Sequence, residues 1–168
     1  MQPRLEIMLC LCLIVPFARI NAQTTDNKTE HATYIRAEEI EAILQTAIKA
    51  NAVEPIGPVL QGTNYTVNIR REVTGKAALT ANMHPETVEI YVIRQGSGTL
   101  VTGGALESPR TVNNGDSVGS GVKGGERRLV KQGDVVLIPA GVPHWFANVA
   151  GSVTYLNIRF PAPRTGPR

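Results

Sequence analysis

The sequence predicts an all-β sandwich or barrel. Three observations support this: short alternating apolar and polar segments recur after residue 65, Gly, Pro and Asn separate them, and only one segment in the chain has helical periodicity. At 168 residues the chain is long enough for one sizeable core, and no internal repeat suggests a second barrel.

The chain opens with Arg4 ahead of an apolar run from Ile7 to Phe17, and Ile20-Asn21-Ala22 closes that run on a small residue. Residues 1–22 therefore have the layout of a secretory signal cleaved near Ala22. The run is shorter than the roughly 20 apolar residues a membrane span needs, and Pro16 interrupts it. No later segment is apolar over such a length, so stable membrane insertion is not expected after cleavage. The expected location is extracellular, or periplasmic in a Gram-negative host.

Cys10 and Cys12 both fall inside this segment, so the expected mature chain has no thiol for disulfides or metal ligation. The net charge of +3 drops to about +2 once Arg4, Glu6 and Arg19 are removed. Lys and Arg are dispersed apart from short pairs such as Arg70-Arg71 and Arg127-Arg128, which argues against nucleic acid as a partner.

Residues 23–35 read as a polar leader, with His31 a solvated member of it. The spacing of Ile40, Ile43, Leu44, Ala47 and Ile48 predicts an amphipathic helix over 36–51, with acidic residues early and Lys49 late as the helix dipole favours. Pro55, Gly57 and Pro58 then break it. Strands are expected at Tyr65–Arg71, Ala77–Met83, Val88–Arg94, Thr99–Thr102, Arg127–Lys131, Asp134–Ile138 and Val153–Phe160, within a barrel spanning 60–162 and followed by a tail, 163–168. Between them, Gly103 to Gly125 is rich in Gly, Ser and Asn and reads as a surface loop or irregular hairpin. Asn27-Lys28-Thr29 and Asn64-Tyr65-Thr66 fit the glycosylation pattern, relevant only in a eukaryotic host.

Of the three histidines, His84 and His144 sit in patterned β segments. Asn82-Met83-His84 is followed after four residues by Glu89 and after six more by Gly96. In the second segment, Gly133 is followed after five residues by Pro139-Ala140-Gly141, then after two more by His144 and after another three by Asn148. These spacings resemble the paired motifs of the cupins, in which one strand-turn-strand unit supplies His-x-His and a Glu and a second supplies the last His. GDVVLIPAGVPHWFAN agrees at every defining position of the second motif; the first departs only at Asn82, where the family most often has its first histidine.

The resemblance implies a double-stranded β-helix (jelly-roll) barrel with one N-terminal helix, around a single divalent transition metal held by His84, Glu89 and His144. Alternation along the strands agrees: Asn82 and His84 share a face, as do Glu89 and Tyr91, and a carboxylate on an inward face is costly unless paired, protonated or metal-bound. Asn82 can act as a weak carbonyl ligand, can hydrogen-bond a metal-bound water, or can mark the loss of tight binding. Two His and one carboxylate with open positions is the pattern of non-haem Fe(II) sites, and oxygen and nitrogen donors without thiolate admit Fe, Mn, Zn, Ni or Cu.

Tyr91, Trp145, Phe146 and Asn148 are candidate pocket walls, with plain core as the alternative for the aromatics. Tyr155, Asn157 and Arg159 share one face of the last strand; turned inward they line the pocket, where Arg159 can bind a substrate anion, and turned outward they form a solvated surface. Of Arg70 and Arg71 at most one points inward. The resemblance implies a metal-dependent enzyme acting on a small molecule, of the dioxygenase type, with Asn82 orienting water or an oxygen species. The alternatives are a metal-dependent lyase or isomerase in which Tyr91 or Glu89 moves a proton, and a non-catalytic module that binds a sugar-like molecule. Pairing of outer strands into a homodimer is left open.

Overall fold

Helix α1, Ala37–Lys49, forms where the apolar spacing predicts it and packs against the outside of a sheet. Its start is fixed by Glu39, which accepts from the Arg36 backbone N–H and from Arg36 Nη2, both at 3.0 Å. Ile40 and Leu44 bury against Ile69, with Ile43, Val59 and Leu156 completing the contact. The structure is a computed structural model that describes residues 32–53, 56–75 and 80–163. The expected signal at 1–22, His31, Asn27 and most of the leader and tail lie outside the described residues.

The strands are β1 (Gly57–Gln61), β2 (Thr66–Val73), β3 (Ala81–Met83), β4 (Thr87–Thr102), β5 (Ala105–Glu107), β6 (Arg110–Thr111), β7 (Ser117–Gly119), β8 (Gly121–Lys123), β9 (Glu126–Lys131), β10 (Val135–Ile138) and β11 (His144–Pro161). All pairings are antiparallel, as short turn-linked strands favour. The larger sheet runs β1-β2-β11-β3-β7-β6, and β4 pairs β9, β10 and β11 beside it. The all-β expectation therefore holds. Among the described residues no helix is long and apolar enough to cross a membrane.

Two long strands organise the fold. β4 joins the segments expected separately at 88–94 and 99–102, and β11 begins at His144 rather than at Val153. Both bend midway. Gly96 has a φ of 73°, and a side chain there would run into the Ser152 carbonyl of β11, so the crossing of the two strands requires glycine. Tyr91, Ile93, Leu100, Ile138, Phe146, Val149, Val153 and Tyr155 close the interior beneath this crossing. On the outside, Leu129, Val135 and Leu137 remain exposed.

Three local expectations are corrected or narrowed. β1 forms at Gly57–Gln61, where Gly57 and Pro58 suggested only a break; Pro58 sits in an edge strand beside a register shift between Pro58 and Leu60, the kind of irregular position that admits proline. Of the two forms expected for 103–125, the plain loop gives way to the irregular hairpin: β5 pairs β8, while β6 and β7 pair with each other and extend the main sheet through β7 and β3. Asn148 does not face the pocket. A register shift between Phe146 and Asn148 breaks the alternation, so Val149 turns inward and Asn148 is exposed.

Candidate metal centre

The two histidine motifs meet through the backbone before their side chains meet. His144 lies opposite Asn82 in the β3–β11 pair, and the Gly141 N–H donates to the His84 carbonyl at 2.8 Å. β4 brings in Glu89 opposite Arg159 and Tyr91 opposite Asn157. One donor atom from each of His84, Glu89 and His144 lies within 4.8 Å of the others.

Glu89 is 2 % exposed and surrounded by donors. Oε2 lies 3.0 Å from His144 Nε2 and accepts from the Tyr91 hydroxyl at 3.2 Å. Oε1 accepts from Asn157 Nδ2 at 3.1 Å, lies 3.0 Å from Arg159 Nε, and is 3.8 Å from His84 Nε2. Burial pushes this carboxyl up, but the hydrogen bond and charge of His144, the charge of His84 and the Asn157 amide outweigh it and bring the pKa down to about 2. Glu89 is therefore ionised at neutral pH.

The imidazoles are oriented from behind. His144 Nδ1 lies 3.1 Å from the Val142 carbonyl, which can only accept, so Nδ1 carries the proton and Nε2 faces the carboxylate. His84 Nδ1 lies 2.7 Å from Asp116 Oδ2, again turning Nε2 toward Glu89. Burial, helped by the Arg159 and His144 charges, lowers the His84 pKa despite the pull of Glu89 and Asp116, which favours the neutral ring. The Nε2 atoms of two imidazoles thus converge on an ionised carboxylate. A metal ion takes the place of the protons at those nitrogens, and two imidazole nitrogens with one carboxylate are a donor set that fits a divalent metal.

The cavity around this centre has about 500 Å³ of space, its open mouth included. Asn82, Tyr91, Trp145, Phe146, Tyr155, Asn157 and Arg159 all line it, so the polar face of β11 points inward. Tyr91 also packs its ring 4.4 Å from that of Tyr155 and stacks on Phe146 at 6.4 Å, which makes the aromatic wall continuous with the core. Asn82 donates its amide to the Thr80 carbonyl at 2.8 Å, which orients that side chain on the wall. Arg70 lines the cavity, whereas Arg71 faces the other way and donates to the Ala52 carbonyl at 2.6 Å.

Sequence reasoning missed Glu72, Thr80 and Asp116. Glu72 could be found from its alternation with Arg70 on one strand face. Asp116 had no such signal, because it follows Asn113-Asn114-Gly115 inside the insertion and reaches His84 only through the β3–β7 pairing.

The family model described as Cupin matches residues 25–162. No curated protein matches the chain. Among solved structures, the Bacillus halodurans protein BH2720 is similar with a TM-score of 0.53 and 15 % identity, over 83 % of this chain and 89 % of that one. Hydroquinone 1,2-dioxygenase PnpCD matches at 0.48 and 18 % over 79 % of this chain and 82 % of that one. An RmlC-like cupin of Methanocaldococcus jannaschii matches at 0.41 and 14 % over 62 % and 76 %. At 15 % identity the likeness to BH2720 is one of fold. Since the family model spans most of its length, the chain belongs to the cupin family.

Proposed function

We propose that this cupin is a metal-dependent enzyme of the dioxygenase type acting on a small organic molecule. The observation that carries the reading is the convergence of two oriented Nε2 atoms on the ionised, buried Glu89 inside an open, mostly polar cavity. A redox-active metal bound there supplies electron transfer to O2 and Lewis acidity toward a substrate oxygen. The chain's own residues do the rest. Asp116 and the Val142 carbonyl back the two rings at Nδ1, Tyr91 and Asn157 hold the carboxylate in place, and Leu100 and Phe146 keep part of the wall apolar. Because the Tyr91 hydroxyl donates to Glu89, Tyr91 serves here to position a ligand rather than to move a substrate proton.

Metal analysis of the purified protein after reconstitution with Fe(II), followed by O2 uptake with a panel of small phenolic and carbonyl compounds, tests the reading. Stoichiometric iron with substrate-dependent uptake is expected. Failure to retain any transition metal would overturn it; metal without uptake on any compound would leave a lyase or isomerase as the better description.

We propose further that the protein is secreted after cleavage near Ala22, on the strength of the apolar run and its small-residue end. Intact-mass measurement of protein collected from the medium or periplasm should give a chain starting at Gln23.

A further inference from the structure

Arg159 stands between two spaces. It lines the metal cavity and also a second groove, formed by the 61–66 turn, Glu86, Thr87, Phe160 and Pro161. Its Nε is held 3.0 Å from Glu89 Oε1, and its side chain is only 25 % exposed. The contact recorded with that carboxylate is made through Nε, at the edge of the guanidinium, rather than through the Nη fork. A guanidinium that meets a buried carboxylate through Nε and is partly withdrawn from water can present its two Nη groups to a planar oxyanion through two parallel bonds.

The charges agree with this. Along the cavity lining Arg70 and Arg159 balance Glu72 and Glu89. An imidazole that ligates a metal does so without a proton, so a divalent cation held by this set adds two positive charges, of which Asp116 behind His84 offsets one. A negatively charged ligand completes the balance, whereas a neutral one leaves a buried excess.

Resting on the metal-site reading above, we propose that the substrate is a small carboxylate whose carboxyl group pairs with the two Nη groups of Arg159 at the mouth of the cavity. The remainder of the molecule lies on the side of His84, Glu89 and His144, against a wall of Leu100 and Phe146. Thr80 and Asn82 add polar groups to the same lining.

The test uses the full chain loaded with Zn(II), which is redox-inert, and measures calorimetrically the binding of benzoate against benzamide and of propionate against propionamide. Each pair differs in charge with little change of shape. The carboxylate should bind at least about tenfold more tightly than its amide, the scale of a charge-assisted bidentate pair. Arg159→Gln should reduce that preference to under about threefold, and Arg159→Lys, which keeps the charge but loses the fork, should fall between. A preference that survives in Arg159→Gln would assign carboxylate binding to the metal alone and overturn the proposal, as would equal binding of acid and amide by the parent protein.

Zinc content is measured for every sample, and each titration is repeated on metal-free protein. An Arg159-dependent preference without zinc uptake would uphold the anion site while removing the metal reading. Independently of any variant, benzoate but not benzamide should protect Arg159 from phenylglyoxal, read by peptide mass mapping; equal labelling in both would count against the site.

Discussion

Asp116 Oδ2 stands 2.7 Å from His84 Nδ1, so a residue from the long insertion orients a ring contributed by the first histidine motif. The contact follows from sheet register. β7 pairs with β3 so that Met83 lies opposite Ser117, which puts Asp116 beside His84. A turn at 113–115, closed by the Asp116 N–H donating to the Asn113 carbonyl at 3.2 Å, fixes the backbone from which the carboxylate projects.

Removing this carboxylate should weaken metal binding more than folding. Asp116→Ala is expected to lower affinity about 10- to 100-fold, the range for loss of a partner that orients a metal-binding imidazole. Because Asp116 is partly exposed and its backbone bonds survive, the unfolding free energy of the metal-free variant should change by less than about 1 kcal/mol. Asp116→Asn, which still offers an oxygen, should recover part of the affinity. Competition with a chromogenic chelator measures the first quantity and urea titration the second. Parent-like affinity in Asp116→Ala would remove its role.

The acid limb of stability should report Glu89. Its folded pKa of about 2 lies below the ordinary 4.5, so between those values the unfolded chain binds more protons than the folded one. The stabilisation is complete above about pH 4.5 and is lost as the pH falls toward 2, and the shift corresponds to roughly 3 kcal/mol. Urea titrations of chelator-treated protein from pH 6 to pH 2 should therefore show a shallower decline for Glu89→Gln than for the parent. Parallel curves would show that Glu89 is not held ionised.

Much of this was legible in the sequence because regular alternation and turn residues act locally. Glu89, Tyr91, Tyr155, Asn157 and Arg159 face the cavity as a period of two requires, and the two motifs brought His84 and His144 to one place. What was not legible depends on which strands pair and where they slip. Asp116 reaches the centre through non-local pairing of a short strand, and the inward face of β11 changes partway along because of a bulge. β1 was hidden by Gly57 and Pro58, whose usual meaning as breakers is overridden by an edge position.

Gly96 should tolerate no side chain. Its φ of 73° disfavours any L-residue, and a Cβ would collide with the Ser152 carbonyl, which belongs to backbone and cannot swing away. Gly96→Ala should lower the unfolding free energy by more than about 1 kcal/mol, whereas Gly133→Ala, with φ of 94° but open space around it, should suffer only the backbone component. Equal losses in urea titration would show that the β4–β11 crossing can spread to admit a methyl group.

The register shift in β11 makes opposite predictions for two adjacent residues. Strict alternation from His144 and Phe146 would bury Asn148 and expose Val149; the bulge reverses this, leaving Val149 3 % exposed within the core and Asn148 in solvent. Val149→Ala removes two buried methyl carbons and leaves a void, so it should cost about 2 kcal/mol. Asn148→Ala should stay within roughly 0.5 kcal/mol of the parent and leave ligand binding unchanged. A large loss for Asn148→Ala, with little for Val149→Ala, would place the bulge elsewhere and return Asn148 to the cavity wall. Because Phe146 packs 5.4 Å from Tyr155 on the far side of that bulge, the same void should also loosen the aromatic wall, and Val149→Ala is expected to weaken benzoate binding modestly while Asn148→Ala does not.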